Sequence, residues 1–265
     1  MKVMRRVRLL GRGLPLRPLS SPAGSVDIGR VQIFQYDICP FCNKIKALLD
    51  LQRVKHEAIE VNPLTKSEIK SWSAGYRKVP IAMIDGEQVN DSPVIASMLF
   101  DRMKEAGIVS DDFCSPEALK WAEWSDSKLA VLLFPNITRS FGESYQAFSY
   151  VHAVQSFSLA DKWSNQLIGS LFMWLAQGKI KKKYGIDDER AAVLESLRHW
   201  IKEGVGEGPF AGGSEPNFAD CCVFGCLKAI DRTATFQELQ DEGSIQPWFS
   251  RMKVLVDPGN ACVRR

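Results

Sequence analysis

The chain sets Tyr36-Asp-Ile-Cys39-Pro40-Phe41-Cys42 directly ahead of a helical run, NKIKALLDL. Two thiols three residues apart can act as a nucleophile with a resolving partner, as half of a metal site, or as packed side chains. If a strand delivers Cys39 to the first turn of a helix, the helix N-terminus, with about half a positive charge and free amides, stabilises the thiolate. A free thiol titrates near 8.5 and is only a few per cent ionised at neutral pH, whereas a drop of roughly three units makes nearly all of it nucleophile. Pro40 suits the early helix because it has no amide donor to leave unpaired. Cys42, one turn deeper, is placed to resolve a mixed disulfide. A metal site would need a second pair; Cys221, Cys222 and Cys226 fall inside a helical pattern where core packing explains them, so no metal is expected.

Two further stretches could complete a site. Val79-Pro80 stands just before a strand, about forty residues beyond Cys39. A cis proline there would leave the Val79 backbone open beside the thiol, able to hold a peptide-like ligand as an added strand; taken alone, Val-Pro also suits an ordinary trans strand start. Asp91-Ser92 opens a helix, and such an end can bind a carboxylate while Asp91 takes an α-ammonium group. A plain helix cap accounts for Asp91-Ser92 equally well.

The elements that must position these residues follow from the pattern. RVQIFQY alternates as a strand, CPFCNKIKALLDLQ is helical, and HEAIEV is a second strand. A short helical piece near 64–71 precedes PIAMIDGEQV, where Asp85-Gly86 marks a hairpin turn. Ser92 is expected as the next N-cap, with Pro93 at the first helical position and Val94 and Met98 on the apolar face. The order β-α-β-α-β-β-α fills residues 30–104 as a compact α/β unit. After AGIVSDDFCS, residues 115–256 carry no strand signal and form an all-helical unit. Its helices begin at Ser115-Pro116, run over about 140–157 and 159–183, open again at Asp187-Asp188 to end at Gly204, and close with Pro247-Trp248. Asn217-Phe-Ala-Asp220 forms a capping box. Trp163, Leu167, Leu171, Trp174 and Leu175 make an apolar stripe expected in the core, part of it lining an apolar pocket. Gly204-Val-Gly206-Glu-Gly208 follows a helix rather than a strand, so it is not a dinucleotide loop. His56, His152 and His199 show no ligand or triad spacing.

Of the 34 basic and 31 acidic residues, seven and one lie in the first thirty. The remainder is therefore slightly acidic, which argues against nucleic acid as the main partner. Residues 1–29 are Arg-rich, nearly acid-free and lack a continuous apolar core, the composition of a mitochondrial presequence; a basic tail on a cytoplasmic protein is the alternative. No apolar run approaches the roughly 18 residues of a spanning helix, so membrane association would be peripheral at most. Seven cysteines, odd in number and unevenly spaced, fit reduced thiols better than a disulfide framework.

YDICPFC, RKVP and NDSPVI, in this order and spacing, resemble the glutaredoxin branch of the thioredoxin fold, and the helical unit with its late capping box is similar to glutathione S-transferases. CPFCNKIKALLD, EAIEVNP, EIKSWSAGYRKVPI, QVNDSPVI, FPNITR, PFAGGSEPNFADCCVFG and IQPWF, spanning 31–248, resemble the membrane-associated prostaglandin E synthase type 2 family. The resemblance implies a thioredoxin-like first domain on an all-α transferase domain. It also implies Cys39 as the catalytic thiol with Cys42 and Tyr36 beside it in the catalytic set, and glutathione held by Phe41, Val79, Pro80, Asp91 and Ser92. The implied activity is isomerisation of prostaglandin H to prostaglandin E on a small apolar substrate, in a protein that can be a homodimer and belongs to a family also associated with haem. The chain departs from that family in its short inter-domain segment, about 105–115, and in its basic, non-spanning leader. Two other readings stay open: a glutaredoxin-type thiol–disulfide oxidoreductase, and a non-catalytic carrier or adaptor on the same scaffold.

Overall fold

The computed structural model describes residues 26–256 and, by backbone alone, 262–264; the segment 1–25 lies outside them. Strand β1 (Val31–Gln35) leads through Cys39 into helix α1 (Pro40–Leu51), then β2 (His56–Glu60) and α2 (Ser67–Lys70). The hairpin β3 (Ile81–Ile84) and β4 (Glu87–Asn90) turns at Asp85 and Gly86, both at positive φ, and α3 (Ser92–Glu105) completes the unit. β1 runs parallel to β2 and antiparallel to β3. Val26, within the stretch expected as leader, bridges Val54.

The second unit, 115–256, is built of helices as expected. Helices α4 (Pro116–Trp124) and α5 (Ala130–Asn136) are joined by a π-helical turn, and α6 (Phe141–Ala147) follows. Then come α7 (Leu159–Ser164), α8 (Ser170–Tyr184), α9 (Glu189–His199), α10 (Phe218–Lys228), α11 (Ala234–Asp241) and α12 (Gln246–Leu255). Beyond that unit, β5 (Cys262–Arg264) pairs parallel with β2 and makes the sheet order β4-β3-β1-β2-β5. Three residues were too short a run to show a strand period. The capping box at Asn217 and Asp220 forms as expected. Buried Asp220 also accepts from Trp248 Nε1 (2.7 Å) and the Ala211 amide (3.1 Å), tying α10 to α12 and the loop before it.

Three local expectations are corrected. The cap of α3 is Asp91 rather than Ser92: Asp91 holds φ 66°, makes no side-chain cap bond, and turns Val94 to solvent while Ile95, Leu99 and Met103 face the core. The helix expected over 140–157 is α only to Ala147 and tightens to 3₁₀ over Phe148–Ala153. Helix α9 passes Gly204 in a π-helical stretch and ends at Gly206, whose φ is 65°.

The apolar stripe is the largest correction. Trp163 is 60% exposed and Leu175 59%, with Leu167, Leu171, Phe172 and Trp174 exposed beside them. The buried face of α7–α8 is polar or small instead. Asn165 bonds Asn62 Oδ1 (3.1 Å) through Nδ2, Ser170 O accepts from Ser144 Oγ (2.8 Å), and Gly169 lies against the Phe148 ring. Satisfied hydrogen bonds and close approach, rather than hydrophobic periodicity, chose the inward face. No helix among the described residues is long and apolar enough to cross a membrane.

The two units dock through α1 and α10. A Cβ on Gly225 would stand 2.5 Å from Lys44 Cα, so only glycine permits this approach. Lys44, 2% exposed, pairs across the junction with Asp126. That fixed contact sets the end of α1, and with it Cys39, against the helical wall.

Candidate active site

Cys39 is the N-cap of α1, in extended backbone geometry, with Pro40 following in the first turn. Its amide donates to Tyr36 O (3.0 Å) and its carbonyl accepts from Asn43 N (3.0 Å). Asn43 Nδ2 donates to both Asp37 O (2.6 Å) and Cys39 O (3.0 Å), clamping the loop from within the helix. The Cys42 thiol donates to the Cys39 sulfur; the amides of Cys42 and Phe41 and the charge of Lys46 add to it, and together they hold Cys39 below the ordinary thiol value despite burial. Cys42 is fully buried, and burial first, then Cys39, push it well above that value. Two thiols in one turn are thus shifted in opposite directions, Cys39 toward its thiolate and Cys42 toward its protonated form.

Half-buried Cys39 opens onto a cavity of about 500 Å³. Tyr36, Phe41, Pro63 and Lys66 line it from the first domain; Val131, Phe134, Ile137, Met173, Ile180 and Tyr184 line it from the second. The Tyr36 hydroxyl is buried without a hydrogen-bond partner among the described residues. Lys66 Nζ stands 4.4 Å from the centroid of the Tyr36 ring. The free thiols Cys221, Cys222 and Cys226 are buried in α10, as the helical pattern indicated.

Of the residues assigned to glutathione, Phe41 lines this cavity, whereas Val79, Pro80, Asp91 and Ser92 are not among its lining residues. The Val79–Pro80 bond is cis. Val79 and Tyr76 pack with Tyr36 against Phe34, Val61 and Ile69. Asp91 is exposed and accepts from the Tyr76 hydroxyl (2.7 Å), so its carboxylate is aimed; burial and that bond push Tyr76 up to about 12. Pro80 and Ser92 are buried. A cis-proline edge with Val79 partly exposed and an oriented carboxylate fits a peptide carrying a free amine. Haem fits less well: among the described residues no histidine lines the cavity, and Cys39 is the one thiol that does.

Sequence reasoning missed the polar group behind the motif. Glu60, 5% exposed at the end of β2, accepts from the Asp37 amide (2.9 Å) and Gln35 Nε2 (3.1 Å). Burial raises it to about 8. Lys46 (3.2 Å) and Arg232 (3.3 Å) both pair with Asp37. Tyr150, whose hydroxyl has no partner among the described residues, is pushed well above its ordinary value by burial and by the nearby Glu60, Asp37 and Cys39. The available signal was phase: His56, Ala58 and Glu60 fall on the buried side of β2, so a carboxylate was headed inward.

Residues 31–89 match the glutaredoxin family. A solved glutathione S-transferase from Sinorhizobium meliloti 1021 is similar over 87% of this chain and 91% of its own, at TM-score 0.55 and 14% sequence identity. The fold is that of a glutathione transferase with a glutaredoxin-type first domain. Prostaglandin E synthase 2 of Danio rerio is 30% identical over 267 residues, covering 84% of this chain and 70% of that protein. The Mus musculus protein of the same name is 29% identical over 273 residues, 86% and 71% respectively. The chain belongs to the prostaglandin E synthase 2 family.

Proposed function

We propose that the chain is a glutathione-dependent isomerase that converts prostaglandin H to prostaglandin E at Cys39. One observation carries the reading: a thiol held below its ordinary pKa opens on an apolar cavity lined by Tyr36, whose hydroxyl has no partner among the described residues. Attack of Cys39 Sγ on one endoperoxide oxygen forms an S–O bond and sends the O–O electron pair to the other oxygen, which takes the Tyr36 proton. The Tyr36 phenolate then removes the hydrogen from the carbon bearing the S–O group. The carbonyl forms, the S–O bond breaks, and the thiolate and phenol are both restored with no net redox change. Val79, Pro80, Asp91 and Ser92 would hold glutathione along the cis-proline edge with its amino group at Asp91; when bound, glutathione supplies a thiol that returns an oxidised Cys39 to its reduced state. A homodimer belongs to this reading, supported by the exposed apolar face of α7–α8. So does mitochondrial targeting by residues 1–29, supported by their basic, acid-poor composition. Product analysis after mixing prostaglandin H with the full chain and glutathione tests the activity. Prostaglandin E should form faster than in the protein-free control, and wild type no faster than that control would refute the reading.

Thiol–disulfide exchange is the second reading, favoured by the Cys42-to-Cys39 hydrogen bond and by Glu60 behind the pair. It needs Cys42 as resolving thiol, which isomerisation does not.

A further inference from the structure

A resolving thiol must lose its proton before it attacks. Cys42 is fully buried and does not line the apolar cavity onto which Cys39 opens, so its proton has no direct way out through the active site. The charged groups acting on Cys42 are Cys39, Lys46 and Glu60. Lys46 can only donate, and Cys39 is blocked once it is part of a mixed disulfide. The Asp37 carboxylate is held by Lys46 and Arg232. Glu60 is the acceptor that remains.

Behind the motif lies a second cavity of about 210 Å³, lined by Gln35, Asp37, Glu60, Tyr150, Gln155 and Arg232. Gln155 and Arg232 are exposed, so this cavity reaches solvent. Tyr150, in the 3₁₀ turn of the helical unit, lines both cavities, and its buried hydroxyl has no partner among the described residues. With Glu60 raised to about 8 by burial, both uptake and release of a proton fall within an ordinary working pH.

We propose that Glu60 takes the Cys42 proton during disulfide exchange and that Tyr150, supplied by the helical unit, passes it through the rear cavity to solvent. The proposal rests on the thiol–disulfide exchange reading. In the mixed disulfide of Cys39 with glutathione, the proton moves from Cys42 Sγ to the Glu60 carboxylate and Cys42 Sγ attacks Cys39 Sγ. The bond between Cys39 and glutathione breaks, glutathione leaves as its thiolate, and Cys39 and Cys42 are left joined as a disulfide.

The test mixes the reduced full chain with a glutathionylated peptide, with no free glutathione, so that only Cys42 can clear the adduct on Cys39. Acid quench and mass spectrometry follow adduct formation and decay from pH 6 to 9 in wild type, Glu60→Gln and Tyr150→Phe. Formation reads Cys39, and decay reads the proton path. Wild-type decay should rise through a midpoint near 8. Glu60→Gln should lose that rise and slow decay at least about tenfold more than formation, the low side of what a positioned proton-transfer group contributes. Tyr150→Phe should slow decay severalfold and keep the rise. Decay unchanged in either variant, or formation and decay slowed alike, would overturn the path while leaving the exchange reading in place. No adduct in wild type would remove the exchange reading and the proposal together.

Discussion

Gly225 of α10 and Lys44 of α1 approach so closely that a Cβ on Gly225 would stand 2.4 Å from the Lys44 amide nitrogen. Because the obstacle is backbone, Gly225→Ala must push the two helices apart rather than displace a side chain. The loss of stability should reach at least 1–3 kcal/mol, the usual cost of overpacking a core, and chemical denaturation should show it. A control at Gly178, where nothing lies within 4 Å, should be nearly neutral as Gly178→Ala.

Asp91 is predicted to hold the amino end of glutathione. Its positive φ makes alanine a poor probe, so Asp91→Asn is the better substitution; it keeps an acceptor for Tyr76 and removes the charge. Glutathione binding should weaken by about 1–3 kcal/mol, the scale of a charge-assisted hydrogen bond. An unchanged dissociation constant in calorimetry would move the site elsewhere.

Glu60 makes the fold pH-sensitive in a stated direction. Folding raises it to about 8 from an ordinary value near 4.3, so between those limits the folded chain keeps a proton that the unfolded chain releases. Stability should therefore fall as pH rises from about 5 to about 8, by up to about 1.4 kcal/mol for each pH step of one within that window. Glu60→Gln, always neutral, should flatten the dependence of melting temperature on pH over the same range. Parallel curves for the two proteins would show that Glu60 ionises normally.

The order of elements in the first domain was legible because each chemical residue sat at a punctuation mark: Cys39 at strand's end, Pro80 before a strand, Asp85-Gly86 at a hairpin. Local rules put Cys39 at the helix start and Cys42 a buried turn further in, and the structure has them there; at Val79–Pro80 they left cis and trans both open, and the structure holds the cis form. What periodicity misjudged was α7–α8. There the side that packs is made of Asn165, Gln166, Gly169 and Ser170, whose burial depends on partners about a hundred residues away, such as Asn62. The apolar cavity and Lys66 were equally out of reach, since both need the docking of two units that no single stretch encodes.

That apolar face yields a prediction about assembly. If it seals a homodimer, Trp163→Ser with Leu167→Ser should convert a dimer to a monomer in light scattering without unfolding it. A wild-type chain that is already monomeric at micromolar concentration would refute this.

The central claim is that Cys39 is the activated nucleophile and that Cys42 activates it. Its most direct measurement is the iodoacetamide alkylation rate of Cys39 against pH, followed by peptide mass spectrometry in wild type, Cys42→Ala and Cys39→Ser. The wild-type midpoint should lie clearly below the ordinary thiol value of about 8.5, and Cys42→Ala should raise it by removing the largest stabilising hydrogen bond. Cys39→Ser should lose both the fast alkylation and all turnover, while Cys42→Ser spares isomerisation. A midpoint at or above 8.5, or fast alkylation that survives Cys39→Ser, would contradict the account.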